Sequence, residues 1–485
     1  MKRNTLGILS LLVVLFFGSR LSAQETSALA DAVQALRADK DLSHATVSVS
    51  VYNLTRGKMV YESEGQRSVT PASLVKLFTT ATAFDKLGAQ FRFKTVVGYS
   101  GSIDKQGTLH GNVYIIGGGD PLLGSYRYRQ TAPDSLFHTW KQALASHGIR
   151  AVDGRICFDA GIFDNQALPD SWQWGDIGNY YASGVSGLNF HENMFFVYFN
   201  AGRKVGYPAA IASTQPKKLT VRLQNEVLTG SEGSGDRVCI YGDPAGSLRL
   251  CTGTVPQGKS NFGVRASLPH PAECCAEQFA VYLRNNDVNV TNSVTEVFSR
   301  PDDLKTVLDY FSSPYYVIAQ YTNMTSNNMY AECIYKYLGY LRNGKGSYAG
   351  GAQAVNDYLR SRGFDLSGVR LVDGSGLSRI NRVNTNFVCR FLADISKTAY
   401  FDDFLTTLGK VGESGTVRHM LADRPAGVDI RMKSGSMEDV RAYAGYVTTL
   451  SGVRLSFCVV SNNFDCTPTQ MRQMLERVLL EIALL

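Results

Sequence analysis

The stretch Thr70–Gly88 constrains this chain most, because it reads as one helix with both ends marked. Thr70 suits an N-cap, Pro71 the first helical position, and Gly88 the residue just past the end. Leu74, Leu77, Phe78, Ala81, Phe84 and Leu87 recur at three- and four-residue spacing, which makes one apolar face and predicts burial. Ser73 and Lys76 are three apart and share the N-terminal corner of that helix. A serine hydroxyl is a poor nucleophile at neutral pH. A lysine amine serves as its base only if burial or a neighbouring cation lowers its pKa. Taken alone, the pair also reads as a polar corner on a buried helix.

At 485 residues the chain is too long for one ordinary core, and two or three domains are expected. Met1–Ala23 has the form of a secretory signal, with Lys2 and Arg3, the apolar run Leu6–Gly18, and Leu21-Ser22-Ala23 before Gln24. That run is too short to span a bilayer, so no membrane segment is expected after cleavage, and the mature chain is expected in the periplasm. The formal charge of +7 falls to +4 without Lys2, Arg3 and Arg20. No run of five Lys or Arg exists, which argues against nucleic acid, while a mild positive balance suits an anionic polymer. The nine cysteines include no Cys-x-x-Cys, and none of the seven histidines sits four from another, so neither a metal site nor a cofactor is expected. Cys239 and Cys251, on two strand-like runs, are a possible disulfide in an exported chain; most of the cysteines are expected to be reduced core residues.

The chain opens as a helix, Glu25–Asp39, then strands Ala45–Tyr52 and Lys58–Glu62 around a turn at Thr55-Arg56-Gly57. After Gly88 the pattern becomes short β-like runs with glycine-rich joins: 91–100, 108–116, 155–159, 218–223, 237–241, 248–252 and 279–284. One helical pattern, Asp134–His147, interrupts them. Helices return at Leu304–Phe311, Tyr315–Leu338, Gly351–Arg362 and Thr385–Thr398. Strands Val428–Lys433, Ala442–Thr448 and Val453–Ser461 and an amphipathic helix Gln470–Leu485 close the chain; that helix is expected to pack on a sheet. The expected division is a unit made of 24–90 and 305–485, interrupted by a mainly β region, 91–304, itself in two parts with an inner one at about 195–270.

Two later segments bear on Ser73. Ser326-Asn327-Asn328 puts a hydroxyl and a carboxamide two residues apart before the helical Met329–Leu338. One can pass a proton and the other can hold a peptide carbonyl, although Ser and Asn are also ordinary helix caps. Lys433-Ser434-Gly435-Ser436 ends a strand-like run. Its ammonium can hold a neighbouring lysine neutral or attract a carboxylate, its hydroxyls can bind that carboxylate, and its glycine lets a substrate backbone lie against the edge.

Ser-x-x-Lys, Ser-x-Asn and Lys-Ser-Gly in this order match the serine penicillin-binding and β-lactamase set. The chain resembles the periplasmic D-alanyl-D-alanine carboxypeptidase/endopeptidase family, the low-molecular-mass penicillin-binding proteins with a large insertion after the first motif. Gly118-Gly119-Asp120-Pro121-Leu122, Trp172-x-Trp174-x-Asp176 with Tyr180-Tyr181, Asp373-Gly374-Ser375-Gly376-Leu377-Ser378-Arg379, Ser414-Gly415-Thr416-Val417-Arg418 and Ala444-Gly445-Tyr446-Val447 carry the same resemblance. Ser434 departs from the usual threonine but keeps the hydroxyl. Asn327 stands where many members have Asp.

The resemblance implies an α/β (α+β) fold: a penicillin-binding/β-lactamase-like transpeptidase domain, with an antiparallel sheet flanked by helices, carrying a two-part, mainly β insertion. It also implies a serine-type peptidase acting on peptidoglycan stem peptides that end in D-Ala-D-Ala or are cross-linked through D-Ala, with β-lactams as inhibitors. Ser73 would attack, Lys76 would take its proton, and Ser326 would return one to the leaving D-alanine. Asn328 would hold a substrate amide, Lys433, Ser434, Gly435 and Ser436 would bind the carboxylate end, and the N–H groups of Ser73 and Ser436 would form the oxyanion hole. Asp176, Tyr181, Arg379 and Met437 would line a pocket for the free end of the stem's diaminopimelate. The rivals are a β-lactamase and an inactive wall-binding scaffold. No Glu here has Asn four residues on, as the deacylating loop of the well-known β-lactamase class requires.

Overall fold

The structure, a computed structural model, describes residues 27–485 apart from Lys218 and Thr220. The expected signal segment, 1–23, lies outside the described residues.

A six-stranded sheet joins the two ends of the chain, in the order 409–410, 429–437, 440–448, 454–462, 46–53, 58–63. All its neighbours are antiparallel, and the early strand Thr46–Asn53 pairs along its whole length with the late strand Arg454–Asn462. Alternation along Thr46–Asn53 explains why both faces are covered. Val47, Val49 and Val51 point to a core shared with the helix at 27–37 and the C-terminal helix Pro468–Leu484. Ser48 and Ser50 point the other way and are equally buried, because each hydroxyl lies 2.7 Å from Thr385 Oγ1 on the helix Thr385–Ile395. The C-terminal helix does pack on the sheet, burying Met471, Leu475, Val478, Leu479 and Ile482.

The opposite face carries the helices Val75–Leu87, Asn328–Asn343, Tyr348–Ser361 and Thr385–Ile395 around one apolar core. Leu74, Leu77, Phe78, Ala81 and Phe84 all lie in it, as their spacing predicts. Each fully buried Leu or Phe contributes about 1.5–3 kcal/mol, which fixes the helix that carries Lys76.

Between Leu87 and Tyr315 a second core is enclosed by three sheets and by the helices Pro133–Ser146 and Pro271–Arg284. The largest of these sheets has the strand order 295–296, 156–159, 108–116, 94–103, 305–311, with 151–153 pairing alongside 108–116.

Several expectations are corrected here. Leu304–Phe311 is not a helix: Lys305–Phe311 is an edge strand antiparallel to Lys94–Ile103, a pairing that favours its β-branched and aromatic residues. Phe279–Arg284 is not a strand but the end of the helix Pro271–Arg284, in which Cys275, Phe279 and Leu283 are buried at four-residue spacing behind an N-terminal proline. The helix expected over Tyr315–Leu338 is two, Tyr315–Met324 and Asn328–Asn343, broken at Ser326 with φ of 57°. Thr70 caps nothing; a 3-10 turn, Ala72–Leu74, precedes the helix, and the Thr70 amide donates to Asn462 Oδ1 at 2.8 Å. Cys239 and Cys251 do not pair. Cys239 lies opposite Thr252 and Cys251 opposite Ile240, so the two thiols project from opposite faces of one ladder, and all nine cysteines are free.

Candidate active site

Three backbone segments meet where the helical layer touches the sheet. Ser73 sits in the Ala72–Leu74 turn, and the Cβ-bearing Ala72 adopts a left-handed φ of 46°, a conformation held only by close surroundings. Those surroundings are Gly376 and Gly435. A Cβ on Gly376 would stand 1.9 Å from the Ala72 carbonyl oxygen, and one on Gly435 would stand 2.7 Å from that of Pro71. The glycines of Asp373–Ser378 and of the Asp429–Met437 strand therefore let two backbones close on the serine's turn.

Lys76 is fully buried, and its Nζ donates to Ser73 Oγ at 3.0 Å, Asn328 Oδ1 at 2.6 Å and the Ser375 carbonyl at 2.7 Å. Burial lowers its pKa to about 7, against the opposing pull of the Glu332 and Asp373 charges. Lys433, equally buried, donates to Ser326 Oγ at 2.9 Å and to the Ser434 carbonyl at 2.6 Å. Its pKa is held well below the ordinary lysine range, first by burial and second by the charge of Lys76. Of the two causes expected to lower the Lys76 pKa, burial leads; the repulsion between the lysines acts on Lys433.

Asn327 caps the helix Asn328–Asn343 by accepting Tyr330 N–H, so the cap falls on the middle residue of Ser-x-Asn and leaves Ser326 and Asn328 for other contacts. With Asn327 holding the helix start, Asn328 is free to turn its carboxamide inward, where Nδ2 donates to the Tyr181 carbonyl at 2.8 Å. Ser434 Oγ lies 2.6 Å from Thr416 Oγ1.

A cavity of about 420 Å³ opens over these groups, and its lining includes Ser73, Ser326, Asn328 and Ser436 together with Asp176, Tyr181, Arg379 and Met437. Lys76, Lys433, Ser434 and Gly435 are not part of that lining. Tyr181 Oη donates to Asp176 Oδ1 at 3.1 Å, and Arg379 is 2.7 Å from the exposed carboxylate of Glu438. Burial raises the pKa of Asp176, and the Tyr181 hydroxyl and Arg379 oppose it.

Two buried carboxylates were given no role from the sequence. Glu332 accepts the N–H groups of Gly374 and Ser375, each at 2.8 Å. Its place four residues after Asn328, on the same helix face, is the signal that was there to be read. Asp373 takes N–H donors from Trp172, Gly376 and Ser378 and the amide of Asn381, which ties the inserted region to the loop beside Ser73. Thr416 and Leu377 entered only as parts of motifs, without a role of their own, and Gln173 did not enter.

This geometry can activate one hydroxyl, pass its proton and hold an anionic substrate end. The comparisons agree with that chemistry. The D-alanyl-D-alanine carboxypeptidase of Actinomadura sp. (strain R39) is 27% identical, covering 91% of this chain and 82% of its own. The D-alanyl-D-alanine carboxypeptidase DacB of Haemophilus influenzae is 22% identical, covering 85% and 84%. Among solved structures, penicillin-binding protein 4 of Haemophilus influenzae has the same fold, with a TM-score of 0.79, 21% identity and 93% and 97% coverage. The same protein is also known in complex with a β-lactam. The profile of the D-Ala-D-Ala carboxypeptidase 3 (S13) family matches residues 29–480. The chain therefore belongs to the D-Ala-D-Ala carboxypeptidase 3 (S13) family of serine peptidases.

Proposed function

We propose that this chain cleaves the bond after D-alanine in peptidoglycan stem peptides, both at D-Ala-D-Ala ends and at cross-links, through an acyl-enzyme on Ser73. The observation that carries the reading is Lys76: a buried amine, its pKa lowered to about 7, within 3.0 Å of Ser73 Oγ. Neutral Lys76 takes the Ser73 proton as Oγ bonds to the substrate carbonyl carbon. The oxyanion is held by the N–H groups of Ser73 and Ser436, a contribution of about 3–4 kcal/mol per donor. As the peptide bond breaks, Ser326 hands a proton to the leaving amine, relayed from the lysine side. Water then cleaves the ester and frees Ser73. A β-lactam acylates the same oxygen and stays, because its leaving group remains tethered.

Asn328 orients the substrate amide, while Ser434, with Thr416 beside it, Ser436 and Lys433 take the terminal carboxylate. Asp176 meets the ammonium and Arg379 the carboxylate of the diaminopimelate free end, with Tyr181 and Met437 as walls. Support for this comes from the shared cavity. The catalytic unit is 24–90 with about 312–485 and the accessory region about 91–311, since the strand Lys305–Phe311 pairs within the accessory sheet, and a signal segment at 1–23 directs export to the periplasm.

The test is release of D-alanine from a purified pentapeptide stem by the wild type and by Ser73→Ala. Loss in Ser73→Ala with the fold intact supports the reading. Release that survives the substitution removes Ser73 from the mechanism. Rapid turnover of penicillin by the wild type would favour a β-lactamase instead.

A further inference from the structure

A second cavity, of about 300 Å³, adjoins the first: Tyr181, Ser326 and Asn328 line both. Its outer wall is built from Arg127, Tyr180, Glu192, Arg265 and Tyr321. Two of these walls are cationic, but they differ in what they have left to offer. Arg127 lies over the Tyr321 ring at 4.0 Å and donates to Glu192 Oε2 at 2.8 Å. Glu192 is itself committed, accepting from Ser125 at 2.6 Å and Tyr330 at 3.0 Å. Arg265 lies over the Tyr180 ring at 3.6 Å and forms no ion pair among the described residues. Its guanidinium is fixed in direction by the ring yet keeps its donors for a ligand.

Position adds to this. Ser326, which hands the proton to the leaving amine in the reading above, stands where the two cavities meet. The acyl half of a substrate fills the cavity holding Ser73, Asp176 and Arg379. A leaving D-alanine is too short to extend far beyond Ser326, whereas a leaving strand that continues past its amine has the second cavity in front of it. We propose that this second cavity is the subsite for the leaving strand of a cross-linked peptide, an acidic peptide whose free carboxylate pairs with Arg265. The proposal rests on the mechanism given under the proposed function. It makes Arg265 a determinant of cross-link cleavage over trimming of free ends.

The experiment compares a pentapeptide monomer with a cross-linked peptide dimer as substrates of the full chain, for wild type, Arg265→Gln, Arg265→Glu and Arg265→Lys. The dimer-to-monomer ratio of kcat/KM should fall about five- to tenfold in Arg265→Gln, the scale of one half-screened charge contact. It should fall further in Arg265→Glu and recover largely in Arg265→Lys. An unchanged ratio in both Arg265→Gln and Arg265→Glu would overturn the subsite, and so would an equal loss on both substrates. Labelling by fluorescent penicillin keeps the two levels apart. A wild type that labels and trims the monomer but leaves the dimer intact sinks the subsite alone. A wild type that does not label sinks the underlying mechanism.

Discussion

Glu332 accepts the N–H of Ser375 at 2.8 Å, and the carbonyl of that same residue receives the Lys76 amine at 2.7 Å. One residue's backbone thus ties a buried carboxylate to the base beside Ser73. Glu332→Gln sets an NH₂ group against one of the two loop N–H donors, leaving buried polar atoms opposed at about 1–3 kcal/mol. Acylation by penicillin should slow by about tenfold or more while the chain stays folded. Stopped-flow labelling, with a thermal melt beside it, checks both parts.

The pH dependence follows from Lys76. As a base it must be neutral, and with its pKa lowered to about 7 the acylation rate should fall as pH drops below about 7. Stability carries the same sign. An unfolded lysine binds a proton up to its ordinary pKa of about 10.4, so between there and about 7 the unfolded state holds more protons and stability rises with pH. Buried thiols, whose pKa burial raises, pull the other way over that range in wild type and variant alike, so the Lys76 contribution is read as a difference in denaturation midpoints: the wild type should gain stability relative to Lys76→Met as pH rises from about 7.

Gly376→Ala should be severe. The residue has φ of 85°, and its new Cβ would fall 1.9 Å from the Ala72 carbonyl oxygen, which is backbone and cannot swing aside. A loss of at least about 2 kcal/mol is expected. Because the displaced atoms adjoin Ser73, penicillin labelling should be lost even at temperatures where the protein remains folded. Circular dichroism and labelling on the same sample separate the two effects.

Asp176→Asn removes the carboxylate assigned to the stem's ammonium while keeping a hydrogen-bond acceptor for the Tyr181 hydroxyl. KM for stems with a free diaminopimelate end should rise about tenfold. KM for stems in which that amine is acylated should change little, as paired kinetics on the two substrates would show.

Much of this site was legible beforehand because its motifs are local. Ser73 and Lys76 are three apart, and the Ser326–Asn328 and Lys433–Ser436 segments each span a few residues; each has a structural reading on its own, and the three in order carry the resemblance that proposes their chemistry. The supports were not legible, because their partners are distant. Asp373 reaches Trp172 across the accessory region, and Glu332 reaches the Gly374 and Ser375 amides through a loop whose approach no periodicity encodes. The strand Lys305–Phe311 was read as a helix for the same reason: its partner, Lys94–Ile103, lies some two hundred residues earlier. The Pro271–Arg284 helix was misread locally, because Phe279–Leu283 taken alone has the composition of a strand. Only the buried spacing that begins at Cys275 shows otherwise. The strand over Ala45–Tyr52 was legible, whereas the burial of Ser48 and Ser50 depends on the distant helix bearing Thr385.

The most direct measurement is the mass of the intact protein after incubation with benzylpenicillin, followed by peptide mapping. A single added penicillin on the peptide containing Ser73, absent in Ser73→Ala, is the predicted result. An unmodified wild type, or an adduct on any other residue, would contradict the account.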